Sequence, residues 1–144
     1  MSDAVPNDPT PDAATEFFTF VADAIAFRDE AATVIRVPSK ARGKEKVLNI
    51  LSQKLRFPRY FGHNWDALAE CLSDLSWFGD VKQVTIVHEG LPFSPAGDQL
   101  AIYLAVLSHA VAVRRAADAG PKLSIVFAAR VREDVLTSFQ EAES

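Results

Sequence analysis

Three carboxylates recur at four-residue intervals near the middle of the chain, at Asp66, Glu70 and Asp74. Residues spaced in this way lie on one side of an α-helix, so the three acids would form a row. Such a row could act as a general acid and base, could bind a metal ion together with His63 and His88, or could hold a positively charged partner. These possibilities differ in the surroundings that the acids require.

The residues around the acids predict a helix from about Trp65 to Leu75. Asn64 is a favourable N-cap, and Asp66 falls in the first turn, where the helix dipole favours a carboxylate. Gly62 permits a sharp turn just before the cap. The side of the helix opposite the acids is apolar and consists of Leu68, Cys71, Leu72 and Leu75.

The predicted helix contains no Lys or Arg to offset its acids. Like charges at i and i+4 destabilise a helix by a few tenths of a kcal/mol per pair. The uncompensated row therefore suggests a partner that needs it, although an ordinary solvated helix surface would show the same residues. Acids opposite the core stripe should be hydrated, which argues against general acid–base catalysis.

Other chemistries find less support in the sequence. HExxH and CxxC motifs are absent, so a metal site is not indicated, and no P-loop, GxGxxG or nucleophile elbow is present. Cys71 falls on the apolar side, where a free cysteine acts as a small hydrophobic residue. His63 is expected in an exposed loop, and His109 at the boundary of a helix. No cofactor and no metal are predicted.

Aromatic residues and basic residues flank the acidic row. Trp65 is expected to pack inward, whereas Tyr60 could contact a partner or pack. Residues 36–59 contain eight Lys or Arg and one Glu, and residues 60–81 contain four acids and no Lys or Arg. The chain is therefore bipolar over this region.

Composition limits the class of protein. The chain has 144 residues, a net charge of −4 and a pI near 5.3, which argues against direct nucleic-acid binding. A single Cys favours a reducing, cytoplasmic location. No run reaches the roughly 20 apolar residues that span a membrane. Residues 1–14 are expected to be a disordered tail without signal-peptide features, and residues 15–144 a single domain.

The order of predicted elements indicates an α/β fold. Apolar runs at 32–37, 84–88 and 123–128 predict three strands. Helical periodicity predicts helices at 17–27, 44–55, from 97 or 98 to about 119, and 132–141, with Gly120 as a left-handed cap after the long helix. The first of these stretches, FTFVADAIAF, could also pair as a strand. Strands separated by helices imply a small three-stranded parallel sheet packed by helices.

One stretch resembles a known family. Pro58-x-Tyr60-Phe61-Gly62-x-Asn64-x-Asp66-Ala67-Leu68-x-Glu70-Cys71-Leu72 is similar to the signature of the barstar family, intracellular inhibitors of the secreted ribonuclease barnase. The order of elements over about 32–128 also fits. The resemblance implies a barstar-like fold, no enzymatic activity, and acidic side chains that stand in for RNA phosphates. It implies the partner contacts Tyr60, Gly62, Asn64, Trp65, Asp66, Ala69 and Glu70, and the acidic row adds Asp74.

The chain departs from the family pattern at several of these positions. Glu70 stands where the prototype has Asp, Ala69 where it has an interface Trp, and Trp65 where it has Leu. Arg115 falls near a family acid at the end of the long helix. The main hypothesis is an inhibitor that blocks the basic active site of a ribonuclease. The alternatives are a barstar-fold interaction module with a basic partner that is not a ribonuclease, and an enzyme that uses Asp66, Glu70 or His63.

Overall fold

The computed structural model describes residues 13–59 and 61–143. Within these residues, four strands form one sheet and four α-helices accompany it. The strands are β1 (Phe18–Val21), β2 (Thr33–Val37), β3 (Gln83–His88) and β4 (Lys122–Ala128). The helices are α1 (Lys44–Lys54), α2 (Trp65–Asp74), α3 (Gln99–Ala116) and α4 (Arg132–Glu143). Short 3-10 turns lie at Ala13–Glu16, Ser76–Phe78 and Ala129–Val131.

All neighbouring strands of the sheet are parallel, in the order β1-β4-β3-β2. Ile86 of β3 lies between Ile35 of β2 and Ile125 of β4. Parallel neighbours need long connections, and α1 with α2 supplies one between β2 and β3, while α3 supplies the other between β3 and β4. The predicted α/β class with a parallel sheet is confirmed, but the sheet has four strands instead of three.

The extra strand, β1, replaces the helix that was predicted for residues 17–27. Phe18 lies opposite Ile125 and Phe20 opposite Phe127, in parallel register with β4. The spacing of the Phe residues fits a helix as well as an alternating strand, and aromatic residues favour strands. Pairing with β4, which comes far later in the chain, decides between the two. The favoured helix was wrong and the alternative strand is confirmed, because local periodicity contains no information about that partner.

The end of α3 also differs from the expectation. The helix ends at Ala116 rather than near 119, so Gly120 lies beyond it and does not cap it. Gly120 has a φ of 85°, which favours glycine. A Cβ atom at this position would clash with the Arg114 guanidinium. Glycine here makes room for Arg114.

The main core lies between one side of the sheet and the helices. Val84 and Ile86 of β3, together with Leu104 and Leu107 of α3, are fully buried. An aromatic cluster extends this core to the edge of the sheet, where the ring of Phe139 from α4 lies 5.3 Å from that of Phe18. None of the helices within residues 13–59 and 61–143 is long and apolar enough to cross a membrane.

The opposite side of the sheet is covered by the connection between β1 and β2, residues 22–32. The two strands lie at opposite edges, so this connection has to cross the sheet. Ala24 and Phe27 pack on a small apolar cluster that includes Val87 and Val126. Arg36 of β2 holds the connection in place. Its guanidinium donates to the carbonyls of Ala24 (3.1 Å) and Phe27, and pairs with Glu89 at 3.2 Å.

Replacing Arg36 with Gln should loosen residues 22–32 and leave the sheet folded. Hydrogen bonds of this kind contribute about 1 kcal/mol each, so we expect the local opening free energy to fall by about 1–3 kcal/mol. Hydrogen exchange at the amides of Phe27 and Ala32 measures it. Arg28→Gln is the control, because Arg28 bonds only to carbonyls inside the connection. Equal acceleration in both variants would contradict this role of Arg36.

Candidate functional site

The start of α2 is determined by Asn64. The backbone of Asn64 is extended, with φ −136° and ψ 172°, and its Oδ1 accepts a hydrogen bond from the amide of Ala67 at 2.7 Å. This satisfies one of the amides that a helix start leaves without a partner. Asp66 lies in the first turn. The predicted N-cap and the predicted start of the helix are both confirmed.

The turn before the cap differs in detail from the prediction. The left-handed residue is His63, with φ 52°, and Gly62 has no positive φ. A Cβ atom on Gly62 would lie 3.1 Å from Nδ2 of Asn64, so glycine at this position leaves space for the capping side chain. Phe61 is buried, with its ring 4.9 Å from that of Phe57. Tyr60 lies outside the described residues.

The inner side of α2 fixes the helix to the core. The residues predicted for this stripe are all buried, and they are Leu68, Cys71, Leu72 and Leu75. Burial raises the pKa of the Cys71 thiol, and the charges of Glu70 and Asp74 raise it further. A thiol with a raised pKa is less available as the thiolate nucleophile. This placement confirms the interpretation of Cys71 as a core residue.

The outer side of α2 carries the acidic ridge, which we define as Asp66, Glu70 and Asp74. All three side chains are exposed. None of them forms a hydrogen bond or an ion pair with any residue in 13–59 or 61–143. The predicted position of the acids opposite the apolar stripe is confirmed. The ridge is therefore a row of hydrated charges without a cation bound to it by this part of the chain.

Nearby basic residues contact aromatic rings rather than the ridge. The Lys44 ammonium lies 5.4 Å from the ring centre of Trp65, and the Arg56 guanidinium 4.9 Å from that of Phe78. Cations over aromatic faces gain a favourable interaction with the ring. In the described part of the molecule, the basic residues of α1 and the acids of α2 thus form no ion pairs with each other.

The remaining predicted contacts surround the ridge. Gly62 and Asn64 are exposed, and Ala69 is half-buried. Trp65 is half-buried as well, with its ring 5.7 Å from Phe93 and 6.0 Å from Tyr103. The inward packing expected of Trp65 is confirmed, and the outer part of the residue stays accessible.

Arg115 points away from this region. Its Nη2 donates to the carbonyl of Glu16 at 2.7 Å, and its guanidinium lies over the ring of Phe17 at 5.7 Å. Arg115 therefore ties the end of α3 to the segment that precedes β1. These contacts give Arg115 a structural role.

Beneath the start of α2 lies a buried pair that the sequence did not predict. His88 and Tyr103 are both fully buried, and Nε2 of His88 lies 2.6 Å from the Tyr103 hydroxyl. Nδ1 of His88 lies 3.1 Å from the Val126 carbonyl, which can only accept. Nδ1 therefore carries a proton, and because burial favours the neutral ring, the Tyr103 hydroxyl donates to Nε2. Burial lowers the pKa of His88 to about 4 and raises that of Tyr103.

This position separates His88 from the exposed ridge, so His63, His88, Asp66 and Glu70 do not form a common site. Among residues 13–59 and 61–143, no three His, Cys, Asp or Glu side chains are grouped so that they could hold a metal ion. A histidine at the end of an apolar strand was the only signal in the sequence for the buried pair.

Arg114 was also missed, and it holds the end of α2. Its side chain is buried, and it donates to the carbonyls of Ser73 (3.1 Å), Pro121 (2.9 Å) and Ala119. Ser73 belongs to the last turn of α2, where carbonyls lack helical partners and a cation is favourable. The sequence did contain a signal that Arg114 is buried, because Arg114 continues the helical spacing of the apolar residues Leu107 and Val111.

Asn64→Ala should destabilise the protein by about 1 kcal/mol, because the Ala67 amide loses its acceptor. Chemical denaturation with urea measures the free energy of unfolding. Asn64→Asp is the matched variant, since it keeps an oxygen acceptor at the cap and should retain most of the stability. An equal loss in both variants would rule out the capping bond as the cause.

The buried His88 predicts a loss of stability at acidic pH. An unfolded chain protonates His88 near its ordinary pKa of 6.5, whereas the folded protein resists protonation until about pH 4. The stabilisation is therefore complete above pH 6.5 and disappears as the pH falls to 4, in total about 3 kcal/mol. The free-energy difference between wild type and His88→Gln should narrow over this range.

Urea denaturation at several pH values between 7 and 4 tests this expectation. His109→Gln, at an exposed position of α3, controls for the loss of an imidazole that is not buried. A difference between wild type and His88→Gln that stays constant across the range would show that His88 is not the titrating group.

The chain matches a family of known proteins. A family model described as barstar (barnase inhibitor) matches residues 31–128, more than half of the chain. The match includes β2, β3, β4 and α1 to α3, and leaves out β1 and α4. No curated protein and no solved structure matches the chain significantly.

Proposed function

The chain belongs to the barstar family, and from this premise we propose that it binds a ribonuclease and inhibits it by covering its basic active site. The observation that carries the proposal is the acidic ridge, three exposed carboxylates without a partner among the described residues. A ribonuclease binds the phosphates of RNA with cationic side chains. Like the phosphates, a row of carboxylates on a fixed helix presents negative charge to those cations.

The rigid setting of α2 supports this role. The cap at Asn64, the buried leucines and the Arg114 bond to Ser73 hold the start, middle and end of the helix. Charges that are already in place lose little conformational entropy when a partner binds. The ridge would also attract a basic enzyme over some distance and raise the association rate.

In this proposal the residues have separate roles. Asp66 and Glu70 act as the phosphate mimics, and Asp74 extends the negative field. Gly62, Asn64 and Trp65 contribute the adjoining surface together with Tyr60, and Ala69 borders the ridge. The protein acts as an inhibitor, not as an enzyme, and its free Cys71 fits a cytoplasmic location.

The alternative is an interaction module whose basic partner is not a ribonuclease. The observation in its favour is Ala69, which is half-buried and too small to provide the aromatic contact of the family. Arg115 no longer supports this alternative, because its contacts with Glu16 and Phe17 explain it. Capture of a basic protein without nuclease activity, abolished by Glu70→Arg, would favour the module.

Inhibition assays test the proposed function. The enzymes are barnase and the ribonucleases encoded by the same genome as this chain, and the readout is cleavage of RNA with increasing inhibitor. Asp66→Asn should weaken inhibition by roughly thirtyfold, as for a residue central to an interface. The loss should be larger at low salt, because screening already weakens the wild-type complex at high salt.

Glu133→Gln is the matched control, because it removes one exposed acid from α4 and leaves the ridge intact. It should inhibit like the wild type. If the wild-type chain neither inhibits nor binds any enzyme of the panel, the proposed function is wrong.

A further inference from the structure

A cavity of about 370 Å³ lies on the side of the sheet that the connection between β1 and β2 covers. Its floor comes from the neighbouring strands β1, β4 and β3, and consists of the polar residues Thr19, Ser124, Gln83 and Thr85. Phe27 and Asp29 of the connection form a wall. Small-molecule sites in proteins are concave and of similar volume, with a few polar groups that converge on the ligand.

The hydroxyl of Thr85 has no partner, although the residue is only 2% exposed. Its neighbours Val84 and Ile86 belong to the main core, so the alternation of side chains along β3 turns Thr85 towards the cavity. No hydrogen bond joins its side chain to any residue in 13–59 or 61–143. Buried hydroxyls in proteins are as a rule paired. The Thr85 hydroxyl is therefore available to a group that enters the cavity.

A second hydroxyl lies beside it on the next strand. Ser124 of β4 is opposite Thr85 in the register of the sheet. Its Oγ accepts a hydrogen bond from Nε2 of Gln83 at 2.6 Å, which leaves the hydroxyl proton free to donate. A hydroxyl can both donate and accept, so this pair matches the hydroxyl groups of a ligand.

Among the described residues that line the cavity, Asp29 carries the only charge. Asp29 is half-buried, and its Oδ1 accepts from the amide of Ala31 at 3.0 Å. No cation in residues 13–59 or 61–143 forms an ion pair with it. An anionic ligand would be repelled by this carboxylate, whereas an ammonium group would be attracted to it.

We propose that this cavity binds a small hydroxylated amine, with its hydroxyl groups on Thr85 and Ser124 and its ammonium group beside Asp29. Phe27, which packs on the small apolar cluster of this side of the sheet, provides a surface for the carbon atoms. The acidic ridge is remote from this site, because the inner side of α2 packs into the main core on the opposite side of the sheet. The proposal is therefore independent of ribonuclease binding.

The cavity depends on parts of the chain outside the family match. Thr19, Phe27 and Asp29 all precede residue 31, where the match begins. Arg36 donates to the carbonyl of Phe27 and so fixes the connection over the sheet. The strand β1 and the connection thus build a site that the matched region does not form by itself.

Titration of the whole chain with glucosamine, serinol and ethanolamine tests the proposal, with amide chemical shifts in NMR spectra as the readout. We expect saturable shifts centred on Asp29, Thr85 and Ser124, with a Kd of about 1 mM or lower for at least one amine. Glucose and glycerol, which lack the ammonium group, should bind more weakly. Glucuronate, which carries a carboxylate, should not bind.

Thr85→Val keeps the shape of the side chain and removes its hydroxyl, so the Kd for the amine should rise roughly tenfold. The free energy of unfolding without ligand should not fall, because that hydroxyl has no partner to lose. Thr137→Val, at an exposed position of α4, is the control and should bind like the wild type. Asp29→Asn keeps an acceptor for the Ala31 amide and should reduce the affinity for glucosamine to that for glucose.

Three results would overturn the proposal. The first is the absence of saturable shifts with all three amines. The second is an unchanged Kd in Thr85→Val, which would leave the buried hydroxyl without a role in binding. The third is binding of glucuronate as tight as that of glucosamine, because the carboxylate of Asp29 would then not select the charge of the ligand.

Discussion

Three like charges on one side of a ten-residue helix make α2 the element on which the rest of the structure depends. Repulsion within the acidic ridge opposes the helix, and no residue in the described part of the chain neutralises it. The helix forms because its other side buries four residues and because both ends are held. Asn64 satisfies an amide at the start, and Arg114 satisfies a carbonyl in the last turn. Packing and hydrogen bonds elsewhere on the same helix thus offset the repulsion within the acidic ridge.

In the proposed function, the same arrangement links stability to recognition. A helix fixed at its start, along its inner side and at its end presents its carboxylates in one geometry, so a partner does not have to order them. The buried His88–Tyr103 pair supports this region from below, since Tyr103 also contacts Trp65 at the first position of α2. Because burial keeps both His88 and Tyr103 neutral, the pair adds no charge of its own beneath the ridge.

Elements outside the region that matches the barstar family complete the fold at one edge. β1 adds a strand beside β4, and α4 covers it through the contact between Phe18 and Phe139. Arg115 joins this addition to α3. The connection from β1 to β2 then crosses the open side of the sheet, where Arg36 holds it. Arg115, which falls near a family acid in the sequence comparison, is therefore part of the scaffold.

Elements whose signals are local could be predicted from the sequence. α2 was predictable from a cap, an apolar stripe and an acidic row, and each of these lies within one or two turns of the helix. The strands β2, β3 and β4 were predictable as short branched runs. Three features were settled by packing in three dimensions: residues 18–21 form a strand rather than a helix, Arg114 reaches the end of α2, and His88 pairs with Tyr103. These features depend on partners distant in the chain, because hydrogen bonding and burial are satisfied in space, whereas periodicity reports only neighbours along the backbone.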